Sequence, residues 1–330
     1  MHFKKIRTIK KALTGFVLVL ALGLLYLALF PFGAKPDRAF DTTVQKPAYT
    51  EHHPVITFDE AHNNSHSTGG GYAPFAELMQ NDGYEVRQNK GAFTPDTLRR
   101  TEVLVIVNAD GGSNPKLFGI NLVPLRRGER GSPAFTDEEV RTIQEWVENG
   151  GSLLLVADHA PFGTAATELA VALGVTMHGG FTEVANQYQG QVDPSFIQFS
   201  RDNGFLSEHP ITAGRSTSEQ INIIQSFTGQ SLDGPKGSEL LRLPPSAIEN
   251  MPLSSESANQ LIMSESENPS AGIAQAVAFD YGQGRVVVLG EAAMITAQID
   301  PQGRRFGMNL EGIDNRQFAL NIMHWLSRIL

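Results

Sequence analysis

The chain has 330 residues, no cysteine and a formal charge of −9. Without cysteine there can be no disulfide, thiolate metal site or cysteine nucleophile. Lys4, Lys5, Arg7, Lys10 and Lys11 give residues 1–11 a charge of +5 with no acid, so the rest carries −14; such a body lacks the basic face that nucleic-acid binding needs.

In chain order, residues 12–34 contain no charge and 16–30 are almost wholly apolar. About 20 such residues span a bilayer as a helix. Residues 12–32 are therefore expected to form a single transmembrane anchor. The basic segment 1–11 before it stays cytoplasmic and the body is exported. A cleaved signal peptide is the competing reading, but its apolar core of about 7–15 residues is shorter, and Pro31 and Phe32 disfavour cleavage at Gly33-Ala34. Residues 33–53 mix Pro36, Pro47, Asp37, Asp41 and Lys46 without periodicity and read as a linker. One domain is expected over 54–330.

The domain opens with a short apolar run, Val55-Ile56-Thr57-Phe58, which reads as a strand. Phe75, Leu78 and Met79 then recur at helical spacing, with Gly83 as a C-cap. Tyr84-Glu85-Val86 alternates as a second strand, and residues 103–107 are a wholly apolar third. Thr136 and Glu139 form a capping box before Val140, Ile143 and Val147. That helix is expected to stop at Gly150-Gly151, before a strand at Leu153. A further helix closes over 169–173. This βαβ succession predicts a doubly wound, mostly parallel α/β sheet.

Residues 177–270 break the rhythm and read as a long insertion rich in Gly, Gln, Ser, Asn and Pro. Short strands are expected at 221–224 and 240–241, with an exposed serine-rich loop over 254–266. An antiparallel or edge strand over 274–279 turns through Tyr281-Gly282-Gln283-Gly284 into a last apolar strand ending at Leu289. Phe318, Ile322, Leu326 and Ile329 make the stripe of a C-terminal helix.

Three apolar runs end in an acid: Asp59-Glu60 with His62, Asp158-His159, and Glu291. Parallel strands present their C-terminal ends along one edge, where open α/β sheets bind ligands. Asp59, Glu60, His62, Asp158, His159 and Glu291 are therefore expected to meet in one cleft, as candidate catalytic groups. Asn64 and His66 follow the first acid pair and are candidate ligand contacts. His62 and His66 have metal-ligand spacing only on a helix, and Asn63-Asn64 argues for a loop. Gly70, within Gly69-Gly70-Gly71, allows close backbone approach before a helix N-terminus, or serves as a hinge. Gln298, following Glu291, is a further candidate contact. Lys116, Arg126, Arg127 and Arg130 lie in the loop after the third strand, either covering an anionic ligand or solvated. No G-x-S-x-G elbow occurs. If the site is catalytic, activated water is the nucleophile.

These residues carry a resemblance. Phe58-Asp59-Glu60-Ala61-His62-Asn63-Asn64, Leu154-Leu155-Val156-Ala157-Asp158-His159, His209-Pro210-Ile211-Thr212-Ala213-Gly214, Gly290-Glu291-Ala292-Ala293-Met294 and 321–326 resemble membrane-associated bacterial proteins with a class I glutamine-amidotransferase-like domain. The DUF4350 group and relatives of gliding-motility and intraflagellar-transport proteins share that domain. The resemblance implies a flavodoxin-like sheet over 54–330. It does not imply amidotransferase activity, because the cysteine nucleophile of that class has no counterpart. The expectation is a membrane-tethered, extracytoplasmic domain binding a small polar ligand, a saccharide or an envelope component, at the sheet edge. The alternative is a metal-assisted or carboxylate/histidine-dependent hydrolase using the same cleft.

Overall fold

The computed structural model describes residues 34–112, 131–252 and 271–330, and the backbone of 116–117 and 120–121. The expected anchor over 12–32, its basic flank, Arg126, Arg127, Arg130 and the 254–266 loop lie outside these residues. Among the described residues no helix is long and apolar enough to cross a membrane.

The apolar runs form the centre of a nine-stranded sheet. Val55–Asp59 (β1), Glu85–Asn89 (β2), Val103–Val107 (β3) and Ser152–Val156 (β4) are parallel, and Gly284–Leu289 joins β4 in the same sense. Ala274–Tyr281 (β5) is antiparallel to that last strand (β6). The parallel strands run β2-β1-β3-β4-β6, the 2-1-3-4-5 order of flavodoxin-like sheets. β5 is not an edge, because Leu232–Asp233 and Glu239–Arg242 also pair with it.

Alternation along each strand builds two cores. Val103, Val105 and Val107 face one side with Leu78 and Met79 of helix Ala73–Asn81 (α1). Leu104 and Ile106 face the other with Ile143 and Val147 of Asp137–Glu148 (α2) and Leu169 of Phe162–Ala172 (α3). Phe318 and Ile322 of Asn315–Leu326 (α4) join the first core. Helices on both faces explain why β1, β3 and β4 carry no solvent face. The capping box at α2 forms: Thr136 Oγ1 accepts from Glu139 N at 3.3 Å, and Glu139 Oε2 from Thr136 N at 3.1 Å. Gly150, at φ +113°, ends that helix in a conformation glycine adopts freely.

The segment read as a linker is packed onto the domain. Lys35–Pro36 pairs with Ala297–Ile299. Buried Asp37 accepts from Asn309 Nδ2 at 2.9 Å, and Tyr49 packs edge-on against Tyr84 at 4.9 Å. The insertion builds two small antiparallel ribbons, Phe181–Glu183 with Ile248–Asn250 and Gln198–Ser200 with Ile223–Gln225.

Candidate functional site

Asp59 ends β1, Asn108 directly follows β3, and Asp158 and Glu291 lie two residues past the ends of β4 and β6. Parallel register brings these tips to one edge. Asn64 Nδ2 bridges two of them, donating to Asp59 Oδ2 and to the Val107 carbonyl, both at 3.1 Å. Asp158 N donates to Asn108 Oδ1 at 2.9 Å. Asn108 sits at φ +45°, a region asparagine tolerates.

Much of this polar set is committed to the fold. His62 Nδ1 lies 2.9 Å from both carboxylate oxygens of Asp59, and its Nε2 lies 2.8 Å from Glu139 Oε1 on α2. Its ring stacks on Phe93 at 4.8 Å and packs against Phe135 at 4.9 Å. Burial pulls the His62 pKa down, but the bonds and charges of Asp59 and Glu139 outweigh it and hold the value above the ordinary one. The imidazolium donates from both nitrogens, so neither serves as a metal ligand or a free base. Burial likewise pushes Glu139 up, and the backbone of Thr136, His62 and the backbone of Phe93 more than reverse this, lowering it to about 2. Fully buried Asp59 also accepts from Asn89 Nδ2 at 3.1 Å. Glu139 was legible as a helix cap, but nothing in its spacing marked it as the partner of His62.

Glu60 Oε1 accepts from Thr68 N at 2.9 Å and Thr68 Oγ1 at 2.7 Å, closing the 60–68 loop. Asn64 Oδ1 accepts from His62 N at 3.0 Å. Gly70 N donates to Ser67 O at 3.0 Å, in the turn before α1. The next glycine makes room for a ring: a Cβ on Gly71 would fall 2.5 Å from His66 Nδ1.

Glu291 is fully buried and caps a short 3₁₀ turn. Its Oε1 accepts from Ala293 N at 2.6 Å and its Oε2 from Met294 N at 2.7 Å. Burial and the nearby Asp158 charge push its pKa well up, against these backbone donors and that of Phe227. Tyr72, fully buried, donates to Ala292 O at 2.5 Å and feels the charges of Glu291 and Asp158. Its position ties the glycine turn to the acid pair.

Three half-buried groups keep hydrogen-bonding capacity at this edge: Asp158, His159 and His66. Asp158 Oδ1 accepts from His159 N at 2.9 Å. Burial raises its pKa, opposed by His159 and Asn108. His159 Nδ1 donates to Ala160 O at 2.8 Å, which leaves Nε2 as an acceptor. The His159 ring stacks on Phe181 at 4.4 Å. His66 lies 5.1 Å from the Tyr72 ring, and burial lowers its pKa to about 4, so it is neutral at pH 7. Gln298 is placed in the strand Ala297–Ile299, where its carbonyl accepts from Asn309 Nδ2 at 3.0 Å; it sits on the small peripheral sheet, not among the strand tips. Among the described residues, no three His, Asp or Glu side chains are grouped so as to hold a metal ion.

No family model and no curated protein matches the chain. Among solved structures, one described as "mmIFT52 N-terminal domain" aligns with 82% of this chain and 97% of its own, with a TM-score of 0.55 and 14% identity. The likeness is one of fold. A cytoplasmic protein from Salmonella typhimurium aligns with 83% of this chain and 98% of its own, at 17% identity and a TM-score of 0.45. A structure described as ThuA-like, from Bacteroides uniformis, aligns with 86% of this chain and 93% of its own, at 13% identity and a TM-score of 0.38. These two scores are too low to bear on anything further.

Proposed function

We propose that the C-terminal sheet edge binds a small, polar, uncharged ligand, a saccharide or a cell-envelope component, and that Asp158, His159 and His66 meet it. One observation carries this reading. Of the acids and histidines gathered there, these three retain hydrogen-bonding capacity, while Asp59, His62 and Glu291 are spent on internal bonds and Glu60 is turned to Thr68 through Oε1. A neutral histidine both donates and accepts, which suits hydroxyl and amide groups. In this reading the chain is a relative of the glutamine-amidotransferase-like DUF4350 group, without its cysteine chemistry. Residues 12–32 tether the domain outside the cytoplasm. Neutral disaccharides and cell-wall glycan fragments, titrated calorimetrically, test it. Asp158→Asn and His66→Ala are expected to weaken binding about tenfold or more. Equal binding by wild type and both variants sinks the proposal.

The second reading, hydrolysis, draws on the raised pKa of Asp158. A carboxylate that holds its proton longer is better matched to acid–base work near neutrality. Asp158 would then take a proton from water as the water oxygen bonds to the anomeric carbon and the glycosidic C–O bond breaks, and His159 or His66 would relay a proton to the departing oxygen. Release of 4-nitrophenol from neutral glycosides, abolished by Asp158→Asn, separates hydrolysis from binding.

A further inference from the structure

A concavity of about 940 Å³ opens between the insertion and the last short strands. It lies toward the upper end of the roughly 300–1,000 Å³ typical of small-molecule sites. Four aromatic side chains line it: Tyr188, Phe196, Phe227 and Phe306. Phe227 is the hub, 5.4 Å from the Phe196 ring and 5.7 Å from the Phe306 ring. Phe227 itself is buried, whereas Tyr188, Phe196 and Phe306 are half-buried and offer ring surface to the groove.

The rim carries charge of both signs, with Asp193, Asp300 and Glu311 beside Arg304 and Arg305. Asp300 Oδ2 accepts from Arg304 Nε at 2.6 Å, Asp193 Oδ1 accepts from Ser195 N at 2.9 Å and from its hydroxyl at 2.6 Å, and Arg305 lies 3.8 Å from Asp37. With acids and arginines mixed along it, the rim presents no strong field of one sign to an ionic ligand. Their remaining lone pairs and N–H groups still meet hydroxyls.

The wall of the groove is strained. Thr228 sits at φ +106°, where a β-branched residue is an outlier. Such strain persists only where surrounding structure over-determines it, and it clusters at ligand sites. Ser195 Oγ and Thr228 Oγ1 hold each other at 2.8 Å. On the inner side, Phe227 N donates to Glu291, and a Cβ on Gly229 would fall 2.4 Å from Gly290 O. The segment is clamped from both sides, with its aromatic ring toward the groove.

We infer that this groove is a binding site for a neutral oligosaccharide, whose C–H faces lie on Tyr188, Phe196 and Phe306 while its hydroxyls meet the polar rim of Asp193, Asp300 and Arg305. The site is separate from the sheet-edge reading and does not rest on it.

The test is isothermal titration, with saturation-transfer NMR, of the full chain against maltotriose, cellotriose and tri-N-acetylchitotriose. Phe227 is too buried to truncate safely, so the variants are Tyr188→Ala and Phe306→Ala, each checked for unchanged melting temperature. At least one trisaccharide is expected to bind. Both variants should weaken it about tenfold or more. Binding by none of the three sugars overturns the inference, as does binding that both groove variants leave intact. Loss confined to Asp158→Asn or His66→Ala assigns the sugar to the sheet edge and also overturns it.

Discussion

His62→Phe isolates the electrostatic part of the clamp between β1 and α2. A phenylalanine ring still fits between Phe93 and Phe135, where the imidazole stacks at 4.8 and 4.9 Å, so apolar packing is retained. What disappears are the charge-assisted bonds to Asp59 and Glu139, each worth about 1.5–3 kcal/mol. Neither carboxylate is orphaned. Asp59 keeps Asn64 and Asn89, and Glu139 keeps Thr136 and Phe93. With both carboxylates still partnered, the expected loss is about 3 kcal/mol, two charge-assisted bonds at the low end of that range.

The same clamp has a signed pH dependence. The folded-state pKa of His62 is raised, so its contribution is complete below the unfolded value of about 6.5 and is lost as pH rises through the folded value. Urea denaturation of wild type and variant at pH 6 and pH 9 should show a wide gap at pH 6 and a narrower one at pH 9. A difference under about 1 kcal/mol at pH 6, or an equal gap at both pH values, refutes the assignment of His62 as a buried imidazolium.

Three other outcomes follow from the same coordinates. His66 has the opposite sign: its pKa is lowered to about 4, so its contribution is present above the unfolded value and is lost as pH falls from about 6.5 toward 4. His66→Phe should flatten that part of the wild-type stability curve, and an unchanged acid limb argues against an imidazole held neutral by its surroundings. Thr228→Gly should be more stable than Thr228→Ala by about 1–2 kcal/mol in thermal melts, because both lose the bond to Ser195 and only glycine releases the positive φ. Gly229→Ala should lose about 1–3 kcal/mol, since its Cβ would meet Gly290 O at 2.4 Å and Glu291 Cβ at 2.7 Å; a melting temperature equal to wild type would mean that this segment yields freely.

The frame was legible where one physical cause dominated. Strands buried on both faces must be apolar throughout, so residues 103–107 and 153–156 declared themselves, and the Thr136/Glu139 box marked the start of α2. Residues 33–53 read as a linker because Pro36, Pro47 and scattered charges show no period. Their attachment comes from one strand pair and from partners far along the chain, such as Asn309 and Tyr84, and periodicity carries no trace of these. The clustering of acids at one sheet edge was likewise readable from strand ends, but their roles were not. Whether Glu291 faces a ligand or caps a turn depends on the backbone of Phe227, Ala293 and Met294. Nothing in the two-residue spacing from β6 expresses that choice. The aromatic groove escaped sequence reasoning because Tyr188, Phe196, Phe227 and Phe306 come from three separate segments without shared spacing.

Gathering polar groups at strand tips has a structural consequence before it has a functional one. A buried carboxylate or imidazole must find partners or destabilise the fold. A cluster of acids at such an edge therefore sorts into groups that satisfy one another and groups left over, and only the remainder is available to a ligand. The two classes should separate experimentally. His62→Phe should lower stability at any ligand concentration, with affinity falling only as folded protein is lost. Asp158→Asn keeps the shape of a half-buried side chain, so stability should move by no more than about 1 kcal/mol, while affinity for the edge ligand drops in fully folded protein. Paired denaturation and calorimetry on both variants decide this. If Asp158→Asn unfolds the domain as readily as His62→Phe, Asp158 belongs with the internal network, and the edge retains only His66 and His159 as ligand contacts.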